Sequence, residues 1–403
     1  MYRHRYMLNQ PSLRLHAVSL FVASWLVLAW LHAVPGLFDR FGTLRGVDFL
    51  QFYAAGWLVA NGRAWQLYDW DAFARTLPAL VPGIGDLLYL PVYPPQLALA
   101  FAPFGRLSYL PALAAWTLAS AALYIGAVWA VLRALPALRT YRLEAWCFAL
   151  GFTPFLQLIA HGQVASLAMP LLAAALCGVR AGRPLLVGLA LGSLVFKPQL
   201  GMFAIAALIL WPSWRLLAGV VLGCALQLGL VAAMMGTTLL RDYLGVLQRL
   251  AASAGQFEPK IWAMHSLRGA LELVLGQTQL ATACWLLGGV GVAWLARRAW
   301  HCHQSLDVRF ALICIVGLLL NPHLYIYDLV LMAVPLACLA AWLVERRAPP
   351  DLHVQYLVYS LVWLPLLGPL AAITHVQLTS PALVALLWQL GRYRVTTTQV
   401  ASA

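Results

Sequence analysis

Pro111-Ala-Leu-Ala-Ala-Trp-Thr-Leu-Ala-Ser-Ala-Ala-Leu-Tyr-Ile-Gly-Ala-Val-Trp-Ala-Val-Leu132 carries no charged side chain, and Arg133 closes it. About 20 apolar residues are what an α-helix needs to cross the hydrocarbon of a bilayer. The run does not alternate polar and apolar residues, as the roughly ten-residue strands of a membrane barrel do. Similar runs recur along the chain. Of 403 residues 63% are apolar and 10% charged, against about 25% charged in a soluble domain. Such a chain cannot cover a water-facing surface. In lipid the backbone must pair internally, so a helical bundle follows.

Working outward from this run, candidate spans lie at about 16–35, 111–132, 144–160, 163–179, 184–197, 199–212, 215–235, 278–296, 308–321, 326–343, 353–373 and 378–391. The expected architecture is an all-α polytopic transmembrane bundle of about 12 spans (11–13), a single domain over 1–403. The piece 94–104 rises only about 16 Å and is read as re-entrant or interfacial. The first run is read as a retained helix, equivalent to an uncleaved signal-anchor.

The net charge of +13 comes from 26 Lys and Arg against 13 acids. The cations stand one to three at a time between spans and form no nucleic-acid patch. They are topology signals: Arg3, Arg5, Arg14, Arg133, Arg139, Arg142, Arg180, Arg183, Arg215, Arg297, Arg298, Arg346, Arg347, Arg392 and Arg394. With these inside, twelve spans put both termini in the cytoplasm of an inner (plasma) membrane protein. That parity places 36–93 and 236–277 on the outer face as loops long enough to carry function. The tail 392–403 is then cytoplasmic. The seven cysteines show no metal-ligand spacing, and neither a metal nor another cofactor is expected.

The first loop holds Asp48-Phe-Leu-Gln-Phe-Tyr-Ala-Ala-Gly-Trp-Leu-Val-Ala-Asn-Gly62. Its pattern predicts an amphipathic helix lying at the interface, capped by Asp48 and ended by Gly62. Asp48 is either a plain cap or a partly desolvated working carboxylate. Asp328, at the start of a span, is either functional or paired with a structural cation. Lys197, in Phe196-Lys-Pro-Gln199, either snorkels or binds an anion. His161-Gly-Gln163 is either a tight turn or a cavity wall. In the second loop His265, with Ser266 and Arg268, offers donors for a phosphate.

These pieces, in this order, resemble glycosyltransferase family 87, the mannosyltransferase-like membrane enzymes of the GT-C fold. The resemblance rests on Asp48-Phe-x-x-Phe-Tyr-x-Ala, Asn61-Gly62, Leu67-Tyr68-Asp69, Tyr93-Pro-Pro-Gln96, Ala102-Pro103, Gly162-Gln163, Phe196-Lys-Pro-Gln199 and Tyr327-Asp328. It implies transfer of a hexose, with mannose expected, from a polyprenyl-monophosphate-sugar donor to a lipid or glycan acceptor, with inversion, at the extracytoplasmic face. The partners are then that donor, the acceptor and membrane lipids, with no nucleic acid. Asp48 matches the family's catalytic base. Lys197, His265 and Arg268 are candidates for the donor phosphate, and Tyr53, Tyr93, Gln96, His161, Gln163, Gln199, His323 and Asp328 for the cavity wall. The resemblance makes Asp69 structural, although Asp69-Trp-Asp71 has a DxD spacing. Competing readings are a transporter or flippase of a lipid-linked glycan, disfavoured by the lack of an inverted repeat, and a ligase of lipid-linked polymers, which would depend on loop arginines.

Overall fold

The computed structural model describes residues 9–85, 87–252, 260–346 and 352–392. Arg3, Arg5, Asp86, Glu258, Arg347, Arg394 and the tail after Arg392 lie outside them. The helices are α1 (Gln10–His32), α2 (Phe49–Ala60), α3 (Trp70–Leu80), α4 (Pro95–Phe101), α5 (Tyr109–Ala134), α6 (Arg142–Gly151), α7 (Thr153–His161), α8 (Ala168–Arg180), α9 (Pro184–Gly192) and α10 (Met202–Leu210). They continue as α11 (Trp214–Met235), α12 (Thr237–Ala252), α13 (Leu267–Leu275), α14 (Gln279–Cys302), α15 (Leu306–Leu320), α16 (Ala333–Glu345), α17 (Leu352–Trp363), α18 (Ala371–Thr374) and α19 (Thr379–Arg392). Among the described residues there is no β-strand, only two isolated bridges, Phe38 with Leu44 and Met264 with Tyr325. The all-helical polytopic bundle is as the composition requires.

Among the described residues six helices are long and apolar enough to cross a membrane: α1, α5, α11, α14, Ile326–Glu345 and Leu352–Thr374. Residues 136–161, bent by 41° between α6 and α7, make a seventh. The other five of the twelve expected spans correspond to shorter apolar helices. The segments 163–179, 184–197, 199–212, 308–321 and 378–391 are apolar but form α-helices of 13, 9, 9, 15 and 14 residues. The two nine-residue helices are lengthened by 3-10 turns into the apolar helices Pro184–Phe196 and Pro198–Leu210. Gly162, Pro184 and Pro198 stand at the boundaries of these helices, where the expected span bounds also fall. The two ends of the bundle are named by Asp48 and Arg133.

The outer helices keep apolar side chains exposed, as lipid contact demands: Leu15, Leu26, Val27 and Trp30 on α1, Leu226 and Leu230 on α11, Leu287 and Val290 on α14. The centre is α15, buried from Asp307 to Leu319 except at Arg309. Arg180 reaches Asp307 at its first turn and closes that end with an ion pair. α9 and α11 meet backbone to backbone. A Cβ on Gly188 would lie 2.0 Å from the Leu216 carbonyl oxygen, and one on Gly192 2.2 Å from that of Val220. Gly219 and Gly223 face back at 2.2 and 2.6 Å from the carbonyl oxygens of Leu185 and Leu189. Small residues four apart on both helices permit this approach.

α2 is not the interfacial helix expected. Phe49, Leu50, Phe52, Tyr53, Ala54, Gly56 and Leu58 are all buried, and so is Gln51. They cover every side of the helix, so it packs inside the protein. Phe101 of α4 contacts Phe49 and Phe52 at ring-centroid distances of 6.1 and 5.3 Å. The amphipathic helices of the two long loops are others. α3 buries Phe73 and Leu77 while leaving Asp71 exposed; α12 buries Leu239, Tyr243 and Val246 while exposing Arg241, Asp242 and Arg249. α4, seven residues long and largely buried, is too short to cross.

Candidate active site

Asp48 stands at the N-terminal end of α2 but does not cap it: its φ and ψ are −79° and −20°, and its carboxylate accepts no helix N–H. The carboxylate is held by other groups. Gln163 Nε2 donates to Oδ2 at 3.0 Å. The Tyr89 hydroxyl lies 3.3 Å from Oδ1 and donates more closely to the Val47 carbonyl, at 2.8 Å. Burial and the neighbouring Asp48 charge raise the Tyr89 hydroxyl above its ordinary range, so it remains a donor.

The backbone beneath Asp48 is tied to the end of α7. The Gly46 N–H donates to the Ala160 carbonyl at 3.2 Å and the Asp48 N–H to that of His161 at 3.1 Å. Gly162 takes a φ of +68°, and a Cβ there would sit 2.6 Å from Phe49 Cβ. Only glycine suits both that conformation and that approach. Trp116 Nε1 of α5 donates to the Gly162 carbonyl at 3.0 Å, and the Tyr109 hydroxyl bonds the Gly46 carbonyl at 2.9 Å. His161-Gly-Gln163 is thus both a tight turn and a wall beside the carboxylate. Asp48 itself is half-buried, whereas Gln163 is 1% exposed.

Below it lies a buried ion pair. Lys197 Nζ donates to Asp328 Oδ1 at 2.6 Å, with the side chains 1% and 0% exposed. The cation alternative for Asp328 and the anion alternative for Lys197 meet in each other. The ammonium faces the Tyr327 ring at 5.2 Å and the Tyr93 ring at 6.0 Å. Asp328 Oδ2 has no hydrogen-bond partner among the described residues. Tyr93 packs edge-on against Phe52 at 4.8 Å and bonds the Gln163 side chain; its burial raises the hydroxyl, a shift Lys197 opposes. Asp48, Gln163, Tyr93, Lys197 and Asp328 therefore form one electrostatically connected cluster.

The other candidates are placed differently. His161 packs on Tyr327 at 5.9 Å and bonds the Gln157 carbonyl through Nδ1 at 2.9 Å. Gln96 Nε2 reaches toward the Val195 carbonyl at 3.4 Å, steadying the turn that carries Lys197. Gln199 is half-buried in the short helical turn after Lys197, and His323 packs on Tyr325 at 4.9 Å. Tyr53 donates to the Leu107 carbonyl at 2.8 Å and stacks on Phe49, a packing position between α2 and α5. Asp69 caps α3, accepting the Ala72 N–H at 3.0 Å.

His265 and Arg268 form a separate group. His265 is fully buried against Thr379 Oγ1, 3.0 Å from Nδ1, and burial pushes its ring down to about 3. At neutral pH it carries no charge. Arg268 bonds Glu272 at 2.6 Å one turn along α13. Their hydrogen bonds, ion pairs and ring contacts do not include Asp48, Lys197 or Asp328; the link is the His265 N–H on the Leu324 carbonyl at 2.7 Å. The sequence reading passed over Tyr89, whose signal is the proline-stiffened Tyr89-Leu-Pro-Val-Tyr93.

A bundle with lipid-facing outer helices and charges gathered in its interior is a polytopic membrane protein. Residues 92–322, more than half of the chain, match glycosyltransferase family 87, and the chain belongs to that family of membrane glycosyltransferases. Neither a curated protein nor a solved structure matches it. The matched region holds Tyr93, Gln163 and Lys197; Asp48 and Asp328 lie outside it and reach it through their bonds to Gln163 and Lys197.

Proposed function

We propose that this glycosyltransferase takes a hexose, mannose in our reading, from a polyprenyl-monophosphate carrier and places it on a lipid or glycan acceptor at the extracytoplasmic face. Both termini are then cytoplasmic, in an inner (plasma) membrane. One observation carries the reading: the Asp48 carboxylate, excused from capping, is aimed by Gln163 and Tyr89 while still half-exposed beside a buried cation. The lipid-linked donor and the sugar rest on the ordered motifs shared with the family.

In this reading Asp48 takes the proton of the acceptor hydroxyl as that oxygen attacks the anomeric carbon. The bond from that carbon to the phosphate oxygen breaks on the opposite side, and the electron pair leaves with the polyprenyl phosphate. Configuration inverts. A phosphate leaves without a general acid but gains from positive charge where its own charge develops. Lys197 has three N–H groups, and Asp328 is its one hydrogen-bond acceptor among the described residues. It supplies that charge from beneath the Tyr93 and Tyr327 rings.

Asp48→Asn keeps the shape and one acceptor oxygen, for either Gln163 or Tyr89, but no base, so transfer is expected to fall by about 10²–10⁴ with the protein still folded and inserted. Purified enzyme given a panel of polyprenyl-phosphate sugars, with product masses read, fixes sugar and acceptor together. Near-normal turnover by Asp48→Asn overturns the base assignment. Product from a nucleotide sugar alone overturns the carrier.

A further inference from the structure

At the far end of α5 from Asp48, Arg133, Arg139 and Arg142 surround a cleft of about 380 Å³ with Trp129, Trp146, Leu132 and Leu138. By helical rise this end is about 36 Å from Tyr109, which bonds the loop before Asp48. All three arginines are exposed, and none has an acidic partner among the described residues. Arg133 lies over the Trp129 ring at 4.8 Å. Glu144, two residues along the chain from Arg142, is buried and already bonded to Arg14 at 2.9 Å. Unneutralised guanidinium groups beside indoles, at the end of a 26-residue crossing helix, sit where a bilayer has its headgroups.

The cleft does not end at the charges. Leu132 and Leu138 also line a second cavity of about 260 Å³, walled by Val128, Phe148, Met169, Ala337 and Val358 between α5, α6, α8, α16 and α17. The cationic cleft thus adjoins, through Leu132 and Leu138, a largely apolar slot whose wall also carries Gln355 and the Glu144 carboxylate that Arg14 bonds. Free inorganic phosphate would use the cleft alone; a molecule with an anionic head and a hydrocarbon chain uses both.

We propose that the Arg133–Arg139–Arg142 cleft and the adjoining apolar slot form a binding site for an anionic glycerophospholipid, its phosphodiester on the guanidinium groups and one acyl chain in the slot. Arginine forks match phosphate oxygens two at a time, and basic pockets between membrane helices hold such headgroups. The site is independent of the sugar chemistry at Asp48.

The test uses the full chain, purified in neutral detergent, with lipid retention read by native mass spectrometry. Phosphatidylglycerol should be held over phosphatidylcholine by at least about tenfold, and its long-chain form over a short-chain one. Combining Arg133→Gln, Arg139→Gln and Arg142→Gln should abolish the headgroup preference while sugar transfer in detergent persists. Replacing the same three by Lys should keep part of it, since charge stays but the fork is lost. Equal retention of the two lipids by the wild type overturns the proposal, and that arm needs no variant. So does a preference surviving in the Gln variant, or inorganic phosphate displacing the lipid at equal concentration, which would mark a simple anion site.

Discussion

The two ends of α5 treat charge in opposite ways. At the Tyr109 end every charged group near the site has an assigned partner: Asp48 with Gln163 and Tyr89, Lys197 with Asp328. At the Arg133 end, Arg133, Arg139 and Arg142 are exposed and have no acidic partner among the described residues, and Arg133 lies over an indole. Burial makes the first arrangement obligatory, because an unpaired charge away from water is costly. Exposure makes the second cheap, because water solvates whatever lipid does not. The difference separates a buried cluster whose charges are paired in advance from a surface whose charges are left to the solvent.

The contrast can be broken by removing one partner at the buried end. Lys197→Met strands Asp328, and a loss of about 3–5 kcal/mol is expected, visible as a fall in thermal midpoint with loss of donor binding. Lys197→Met with Asp328→Leu should regain most of the stability but not the activity. If the double variant is fully active, the pair is structural and its place in the reaction is lost.

The next effect concerns packing. Gly192→Val forces a side chain into the Val220 carbonyl, where even a Cβ would sit at 2.2 Å; overpacking of this kind costs about 1–3 kcal/mol. Transfer should fall along with the thermal midpoint, because α9 runs directly into the Lys197 turn. Unchanged activity at a lowered midpoint would separate the helix contact from the site.

A pH series sharpens the comparison further. His265 has an ordinary value near 6.5 and a folded one near 3. Above 6.5 neither state binds the proton, so pH has no effect through this group. Below 6.5 the unfolded chain takes a proton that the native ring refuses, and stability drops by about 1.4 kcal/mol per pH unit toward 3. His265→Gln should flatten that part of the curve measured by thermal unfolding; an unchanged slope would mean the ring protonates in place. Smallest of all, Arg139→Gln at the exposed end should move stability by no more than about 0.5 kcal/mol.

Much of this was legible in the chain. Runs such as 111–132 name their helices because nothing in them interrupts either the hydropathy or the backbone. Helix length was less legible: the apolar stretches beginning at Pro184 and Pro198 each divide into a nine-residue α-helix and a 3-10 turn, which hydropathy alone does not distinguish. The burial of α2 could have been read: between Asp48 and Gly62 only Gln51 and Asn61 are polar, too few for a wet face. The Gly188/Gly192 and Gly219/Gly223 spacing was equally open to view. The pairing of Lys197 with Asp328 was not, since 131 residues separate them and complementary charge alone names no partner. Nor was the missing cap at Asp48, which becomes visible only in its dihedral angles and its bond to Gln163.

The contact between α9 and α11 has a consequence for the site. Gln227 Nε2 of α11 donates to the Ser193 carbonyl at 2.6 Å, and the chain from Ser193 to Phe196 turns directly into Lys197. The ammonium therefore hangs from a bracket whose fit depends on four absent methyl groups. Its register against Asp48 is held by two helices with nothing between their backbones to compress, and the most polar point of the cluster takes its alignment from the least decorated stretch of the protein.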